Sequence, residues 1–308
     1  MLQRLLKPWF VFRPTQLIRR LVSQMRPASP GYAPMRTSWG AEILADPAKT
    51  IGRSISTTGL YDLAVSEALA RLITPGDTVV DAGANVGYMT VLAGMVTGPT
   101  GRVLAFEPHP ELFGVLERNV AAARAMFGGT FHTTHAALGD RTGTAELQVP
   151  AAFESNDGLC RIRASPAGDG HVMNVRMSTL DEVLTDTRPV VLKLDVEGFE
   201  PQVLKGAARS LARRQIRHVV FEEHATSGGE TARLLEGAGY RIFALGWSLL
   251  GPKVGAVGAG RYAKEYESPS FIASLAPDEV LARCARRGWR VLETLTVDTL
   301  APSVPGNP

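Results

Sequence analysis

The sequence is poor in cysteine, and its two cysteines, Cys160 and Cys284, lie far apart with no Cys-x-x-Cys pair. This excludes a cysteine-based zinc site and a disulfide-stapled scaffold. It also suits a reducing compartment, so we expect a cytoplasmic protein. No stretch approaches the roughly 20 consecutive apolar residues that cross a bilayer, which excludes an integral membrane protein. Arginine outnumbers lysine 27 to 6, a bias typical of a GC-rich bacterial genome.

Acidic residues are absent from the first 40 positions, which carry seven basic ones, whereas the remaining chain has 26 basic and 30 acidic residues. A mildly acidic body weakens the case for binding a polyanion across the surface, and we expect no nucleic-acid partner. In this N-terminal arm, cations and prolines interrupt the apolar residues, so it lacks the apolar run of a secretory signal. Because apolar residues and cations are interspersed in residues 1–26, this segment is predicted to contact an anionic membrane at its inner face. The alternative is that their apolar side chains pack on the catalytic domain or on a second subunit.

Beyond the arm, short apolar runs alternate with segments of helical periodicity. Strands are predicted at 78–82, 102–106, 130–138, 190–195, 218–221, 240–245 and 270–275, with helices between them. Because most of these runs are apolar on both faces, they indicate an α/β protein with a doubly wound, mainly parallel sheet. Residues 139–170 are predicted to form hairpins and loops, and the glycine-rich residues 246–260 a flexible loop. We divide the chain into an arm at 1–58, a main domain at 59–275, and a C-terminal helix and tail at 276–308.

The first predicted strand ends in a glycine-rich turn that lacks the dinucleotide-binding fingerprint. Counted from Gly83, that fingerprint needs glycine at 85 and glycine or alanine at 88, but the chain has Asn85 and Tyr88. Asp81, two residues before the turn, would repel a pyrophosphate but suits the positive charges of S-adenosylmethionine. Glu107, after the next strand, suits a ribose diol, because a carboxylate accepts from two hydroxyls at once. The pattern favours S-adenosylmethionine, with a nucleotide-dependent oxidoreductase as the alternative enzyme.

Three longer segments follow the predicted strand ends: PGDTVVDAGANVGY at 75–88, FEPHP at 106–110 and LKLDVEGFE at 192–200. In these segments the chain resembles the FkbM-type family of S-adenosylmethionine-dependent methyltransferases. The third segment is the specific one, since glycine turns occur throughout class I methyltransferases. The resemblance covers about residues 50–290. It implies the Rossmann-like class I methyltransferase fold, a mainly parallel sheet of seven strands with one antiparallel strand near the end.

The resemblance also implies an activity, the transfer of a methyl group to a hydroxyl of a sugar, glycan or secondary metabolite. It implies that S-adenosylmethionine is held by Asp81, Gly83, Asn85, Gly87 and Glu107. Asp140 follows the third strand, where such folds often meet the adenine of the cofactor.

Methylation of a hydroxyl also calls for a base, and carboxylates at strand ends are candidates. Asp195 ends a buried strand beside the first turn, where it would face the methyl group, and Glu197 and His224 follow. Each has a second interpretation: Asp195 could hold a loop, Glu197 could cap the next helix, and His224 could be a surface residue. With Glu223 these side chains could ligate magnesium or manganese, but their spacing does not require it, and we predict no metal. A non-catalytic cofactor-binding module would be expected to lose Asp195 or the glycines, and all are present.

Overall fold

The structure of the protein is a computed structural model. This structure describes residues 7–12, 30–154, 156, 158, 160–163, 170–185, 187–223, 229–258 and 269–295. The predicted site residue His224 and residues 1–6 and 13–29 of the N-terminal arm lie outside these residues. Within the described ranges, no helix is both long and apolar enough to cross a membrane.

A large sheet forms the centre of the molecule. Its strands are β3 (Thr78–Ala82), β4 (Arg102–Phe106), β5 (Thr130–Thr134), β10 (Val191–Leu194), β11 (His218–Glu222), β12 (Arg241–Ser248), β13 (Gly251–Ala256) and β14 (Ser270–Ser274). Their order across the sheet is β13-β12-β14-β11-β10-β3-β4-β5. The five strands from β11 to β5 are parallel, whereas β14 runs antiparallel to both of its neighbours. The predicted mainly parallel sheet is confirmed.

The sheet has one strand more than the seven expected, because β13 lies where the sequence predicts a flexible loop. This strand pairs antiparallel with β12 from Phe243↔Ala256 to Ser248↔Gly251. Its residues show no strand-like alternation, since glycines and Pro252 occupy half of it. Backbone pairing with β12 defines this strand, and a side-chain pattern does not reveal such pairing.

Helices cover both faces of the sheet. They are α2 (Thr50–Thr58), α3 (Leu63–Leu72), α4 (Tyr88–Thr97), α5 (Pro110–Phe127), α6 (Leu180–Val183), α7 (Glu200–Lys205), α8 (Ala208–Ala212), α9 (Glu230–Gly237) and α10 (Pro277–Cys284), after the short α1 (Pro8–Val11). Alternate strand residues belong to different apolar clusters: Val79 and Val103 to one, Val80 and Leu104 to the other. The continuous apolar runs in the sequence thus reflect burial on both faces.

A smaller sheet accounts for the region between β5 and β10. Its strands are β6 (Ala137–Leu138), β7 (Gly143–Val149), β8 (Arg161–Arg163) and β9 (His171–Ser178), in the order β6-β9-β7-β8. The predicted strand at 130–138 is therefore two strands. After β5 the chain leaves the large sheet, and β6 pairs with β9 instead.

Residues 33–45 and the described C-terminal residues up to Leu295 pack into the core of the molecule. A hairpin of β1 (Ala33–Arg36) and β2 (Glu42–Ala45) precedes α2, and it brings the buried side chains of Trp39 and Ile43 into the larger apolar cluster. Ser38 Oγ donates to the carbonyl of Val291 at 2.6 Å, which joins the two ends. The division of the chain at residues 58 and 275 stays a prediction, and this packing connects the described residues on either side of both boundaries.

Candidate active site

A cleft lies at the carboxyl ends of β3, β4 and β10, where parallel sheets of this type bind ligands. It holds about 660 Å³ of unfilled space, including the part open to solvent. Its wall includes Ile51, Tyr61, Gly83, Ala84, Asn85, Tyr88, Met89, Glu107, Pro108, Leu112, Gly158, Cys160, Lys193, Asp195 and Glu197.

The first turn, between β3 and α4, is built on left-handed backbone. Gly83, Asn85 and Gly87 have φ values of 76°, 52° and 90°. Asn85 tolerates this conformation because its Oδ1 accepts from the backbone N–H of Val86 at 2.7 Å. A Cβ at position 83 would lie 2.0 Å from the carbonyl oxygen of Asp195, so Gly83 is required by the neighbouring turn. Gly87 is not part of the cleft wall, and a Cβ there would meet Leu116 at 2.7 Å.

Glu107, after β4, is a buried carboxylate held by backbone donors. Its Oε2 accepts from the N–H of Asn85 and its Oε1 from the N–H of His109, each at 2.8 Å. Burial raises the pKa of Glu107 to about 7, and these two hydrogen bonds oppose the rise. Each oxygen keeps acceptor capacity, because a carboxylate offers about four lone-pair sites. The carboxylate therefore remains able to bind a ribose diol.

Asp81 does not contribute to the cleft wall. Its carboxylate is 1% exposed, and its Oδ2 accepts from Thr90 Oγ1 at 2.6 Å. Its Oδ1 lies 3.2 Å from Lys193 Nζ. Lys193 reaches Asp81 from the adjacent strand and forms an internal ion pair with it, and the contact between this carboxylate and the cofactor stays a prediction.

Lys193 was not among the predicted site residues, yet it connects several of them. Although burial lowers its pKa, the charges of Asp81 and Asp195 outweigh burial and raise the pKa well above its ordinary value. Its Nζ donates to the carbonyl of Gly83 at 2.7 Å and lies 3.4 Å from Asp195 Oδ2. The sequence does carry a signal, because Lys193 is the polar residue in an otherwise apolar strand. It does not show which groups that lysine contacts.

Asp195, Glu197, Glu200 and Glu222 place four carboxyl groups around the turn after β10, and Glu200 Oε1 accepts from the N–H groups of Val196 and Gly198. The side chain of Asp195 is 29% exposed. Burial, followed by the charge of Asp195, raises the pKa of Glu197 to about 7. The same two causes raise the pKa of Glu222, at the end of β11, to about 9. Tyr61, which the sequence did not single out, lines the cleft and also a smaller pocket that it shares with Asp195 and Glu222.

The structure does not bring every predicted residue to the cleft. Asp140 is exposed outside the cleft wall, with its Oδ1 3.2 Å from Arg141. Glu197 has a φ of 55° and does not cap α7, which has no side-chain cap. Glu223 Oε1 accepts from the N–H of Thr231 at 3.1 Å. Among the described residues, no group of three or more His, Cys, Asp or Glu side chains is arranged to hold a metal ion.

A family model, "Methyltransferase FkbM domain", matches residues 81–242. The chain belongs to the FkbM-type methyltransferase family. It is 29% identical over 225 residues to "Methyltransferase sdnD" of Sordaria araneosa, covering 63% of this chain and 83% of that protein. It is 29% identical over 201 residues to "31-O-demethyl-FK506 methyltransferase FkbM" of Streptomyces tacrolimicus, covering 56% and 75%. It is 28% identical over 149 residues to "Hexuronic acid methyltransferase AglP" of Haloferax volcanii, covering 48% and 56%.

The family assignment decides between the enzyme classes left open by the sequence. The chain is an S-adenosylmethionine-dependent methyltransferase, which sets aside the oxidoreductase alternative. The cleft fits this cofactor in its polar groups, because Glu107 lines it and presents buried acceptor oxygens at the end of β4.

Proposed function

We propose that the protein is an O-methyltransferase that acts on a hydroxyl of a sugar, a glycan or a secondary metabolite. The observation that carries the proposal is the position of Asp195, a partly exposed carboxylate at the end of β10 in the cleft wall. Three buried carboxylates nearby are held by internal partners: Asp81 by Lys193 and Thr90, and Glu107 and Glu200 each by two backbone N–H groups. Asp195 lies 3.4 Å from Lys193 but keeps 29% of its side chain exposed. Asp195 is therefore positioned to accept a proton from a substrate.

Two of the relatives support a hydroxyl or sugar acceptor by their names. One is a 31-O-demethyl-FK506 methyltransferase, and another a hexuronic acid methyltransferase. S-adenosylmethionine supplies an electrophilic methyl group when bound. In our proposal Glu107 would hold its ribose, Gly83 and Asn85 would line its binding turn, and Asp195 would take the proton as the acceptor oxygen is methylated.

Glu197 and Glu222 have supporting roles in this proposal. Because their pKa values are raised to about 7 and about 9, both hold a proton for part or all of the time at neutral pH. A protonated carboxyl group can donate a hydrogen bond to an acceptor hydroxyl, but it is not a base. Asp140 and His224 remain predictions, since Asp140 lies outside the cleft wall and His224 outside the described residues.

The test is a comparison of Asp195→Asn with Glu197→Gln, using labelled cofactor, candidate glycans and detection by mass spectrometry. Asp195→Asn keeps the shape of the side chain but removes the base, so we expect kcat to fall about 10²–10⁴-fold. Affinity for S-adenosylhomocysteine should change much less. Glu197→Gln mimics the protonated carboxyl and should retain most of the activity. Equal kcat values for Asp195→Asn and the wild type would reject Asp195 as the base.

A membrane-associated acceptor, such as a lipid-linked glycan, is consistent with the basic arm. We infer that the protein works in the cytoplasm and that residues 1–26 contact the inner face of the membrane, bringing the enzyme to the surface that holds such an acceptor. Among the described arm residues, Val11 and Phe12 are 43% and 52% exposed, whereas Pro8 is buried.

A further inference from the structure

Lys193 is a buried cation between the two turns that form the cleft. It stands directly opposite Asp81 in the parallel pair of β10 and β3, and it is 5% exposed. Its Nζ donates to the Gly83 carbonyl at 2.7 Å, in the first turn, and lies 3.4 Å from Asp195 Oδ2, in the second. One ammonium group thus contacts both turns.

Charge strengthens this arrangement. Among the described residues that line the cleft, Lys193 carries the only positive charge, whereas Glu107, Asp195 and Glu197 are acidic. An ionised Asp195 is repelled by Glu197 whenever that group is also ionised, and its partial exposure leaves it room to turn toward solvent. The attraction of Lys193 opposes that rotation. Asp81 in turn fixes Lys193, because Thr90 and the ion pair hold the Asp81 carboxylate in place.

We propose that Lys193 is a positioning residue that holds the Asp195 carboxylate in the cleft and ties it to the Gly83 turn. The proposal rests on the proposed role of Asp195 as the base. It also gives Asp81 an indirect function, that of anchoring the lysine.

The variant Lys193→Met alone leaves the buried Asp81 carboxylate without its cation and is expected to destabilise the fold. The comparison therefore uses Asp81→Asn as the background, with and without Lys193→Met. We expect the added Lys193→Met to lower kcat at least tenfold, with less than a threefold change in the KM for the acceptor. Lys205→Met, at an exposed position on α7, is the matched control and should leave kcat unchanged.

A double-mutant cycle separates positioning from general structural damage. If Lys193 acts through Asp195, adding Lys193→Met to Asp81→Asn/Asp195→Asn should cause no further fall in kcat. The proposal is overturned if Lys193→Met lowers kcat by the same factor in Asp81→Asn/Asp195→Asn as it does in Asp81→Asn.

A second measurement needs no turnover. The N–H of Gly83 donates to the carbonyl of Phe106, and that of Asp195 to the carbonyl of Ala82. Amide hydrogen exchange measured by NMR should become at least tenfold faster at both positions when Lys193→Met is added to Asp81→Asn, while β5 is unaffected. Unchanged exchange at both positions would overturn the positioning role. A wild-type enzyme that methylates no hydroxyl acceptor would instead overturn the proposed function, and the exchange result would still decide the role of Lys193.

Discussion

The backbone of Gly83 lies so close to the carbonyl of Asp195 that a Cβ on residue 83 would be 2.0 Å from that oxygen. The glycine turn and the turn after β10 are therefore in direct contact. From the sequence, the glycines indicate that the backbone approaches some partner closely. At Gly83 this partner is the chain itself, and the contact places the candidate base beside the cofactor turn.

Gly83→Ala is expected to separate these two turns. The new methyl group would collide with the Asp195 carbonyl, and the φ of 76° is unfavourable for alanine. Affinity for S-adenosylhomocysteine, measured by calorimetry, should fall at least tenfold, and the Tm should decrease. The matched control is Gly114→Ala, in α5, where a Cβ would meet nothing within 4 Å. That change should stabilise the protein by about 0.4–1 kcal/mol. Wild-type affinity in Gly83→Ala would contradict the expected contact.

Glu107 is expected to contribute a charge-assisted contact to the cofactor. Glu107→Ala should weaken binding of S-adenosylhomocysteine by about 1.5–3 kcal/mol, or about ten- to a hundredfold. Because burial raises its pKa to about 7, the accepting carboxylate form increases as the pH rises from 6 to 8. Wild-type affinity should increase over this interval, and that of Glu107→Gln should not. Glu117→Ala, an exposed position on α5, serves as the control. The same pH dependence in Glu107→Gln and the wild type would assign it to another group.

Glu222 should make the protein less stable as the pH rises. Burial and the charge of Asp195 raise its folded-state pKa to about 9, whereas an unfolded glutamate titrates near 4.5. The folded state therefore keeps a proton that the unfolded state has released, and the stability contribution present below about pH 4.5 is lost progressively up to about pH 9. Glu222→Gln lacks this loss, so its Tm advantage over the wild type should widen from pH 5 to pH 9. Thermal unfolding at pH 5, 7 and 9 measures it. A Tm difference between Glu222→Gln and the wild type that is constant across this range would show that Glu222 is ionised in the folded protein. The control is Glu146→Gln, at an exposed position, which should have the Tm of the wild type at each pH.

The central strands could be predicted because burial on both faces leaves a continuous apolar run with a turn at each end. The prediction of β3 and β4 matches the structure residue for residue, and that of β10 extends one residue beyond each end. The strand β13 could not be predicted, since its partner β12 supplies backbone hydrogen bonds that no residue pattern records. Helical periodicity likewise did not reveal that the hairpin of β1 and β2 belongs to the core.

Site residues could be predicted from the sequence where their place after a strand identifies them. Contacts that depend on the pairing of two strands could not be predicted. The sequence identified Glu107 and Asp195 from their places after strands, and both line the cleft. The partner of Asp81 follows from the register of β10 against β3, which sets Lys193 opposite it. Asp140 is exposed beside Arg141, where the chain leaves the large sheet for the smaller one, and its contact with the adenine stays a prediction.

The N-terminal arm gives the last prediction, that residues 1–26 bind anionic membranes. Each cation near such a surface contributes about 1 kcal/mol, and the effect is screened by salt. Truncation must spare Ala33–Arg36, which pairs in β1, and Ser38, which binds the carbonyl of Val291. The comparison is therefore between the full chain and residues 30–308. The full chain carrying Arg4→Gln, Lys7→Gln and Arg13→Gln serves as a charge control.

In flotation with anionic liposomes at low salt, we expect the full chain to float and the truncated chain to stay in the soluble fraction. The charge control should float less, and high salt should release the full chain. If both forms stay with the soluble fraction at low salt, the membrane prediction is wrong, and a truncated chain that precipitates would show that the arm packs on the domain or on a second subunit.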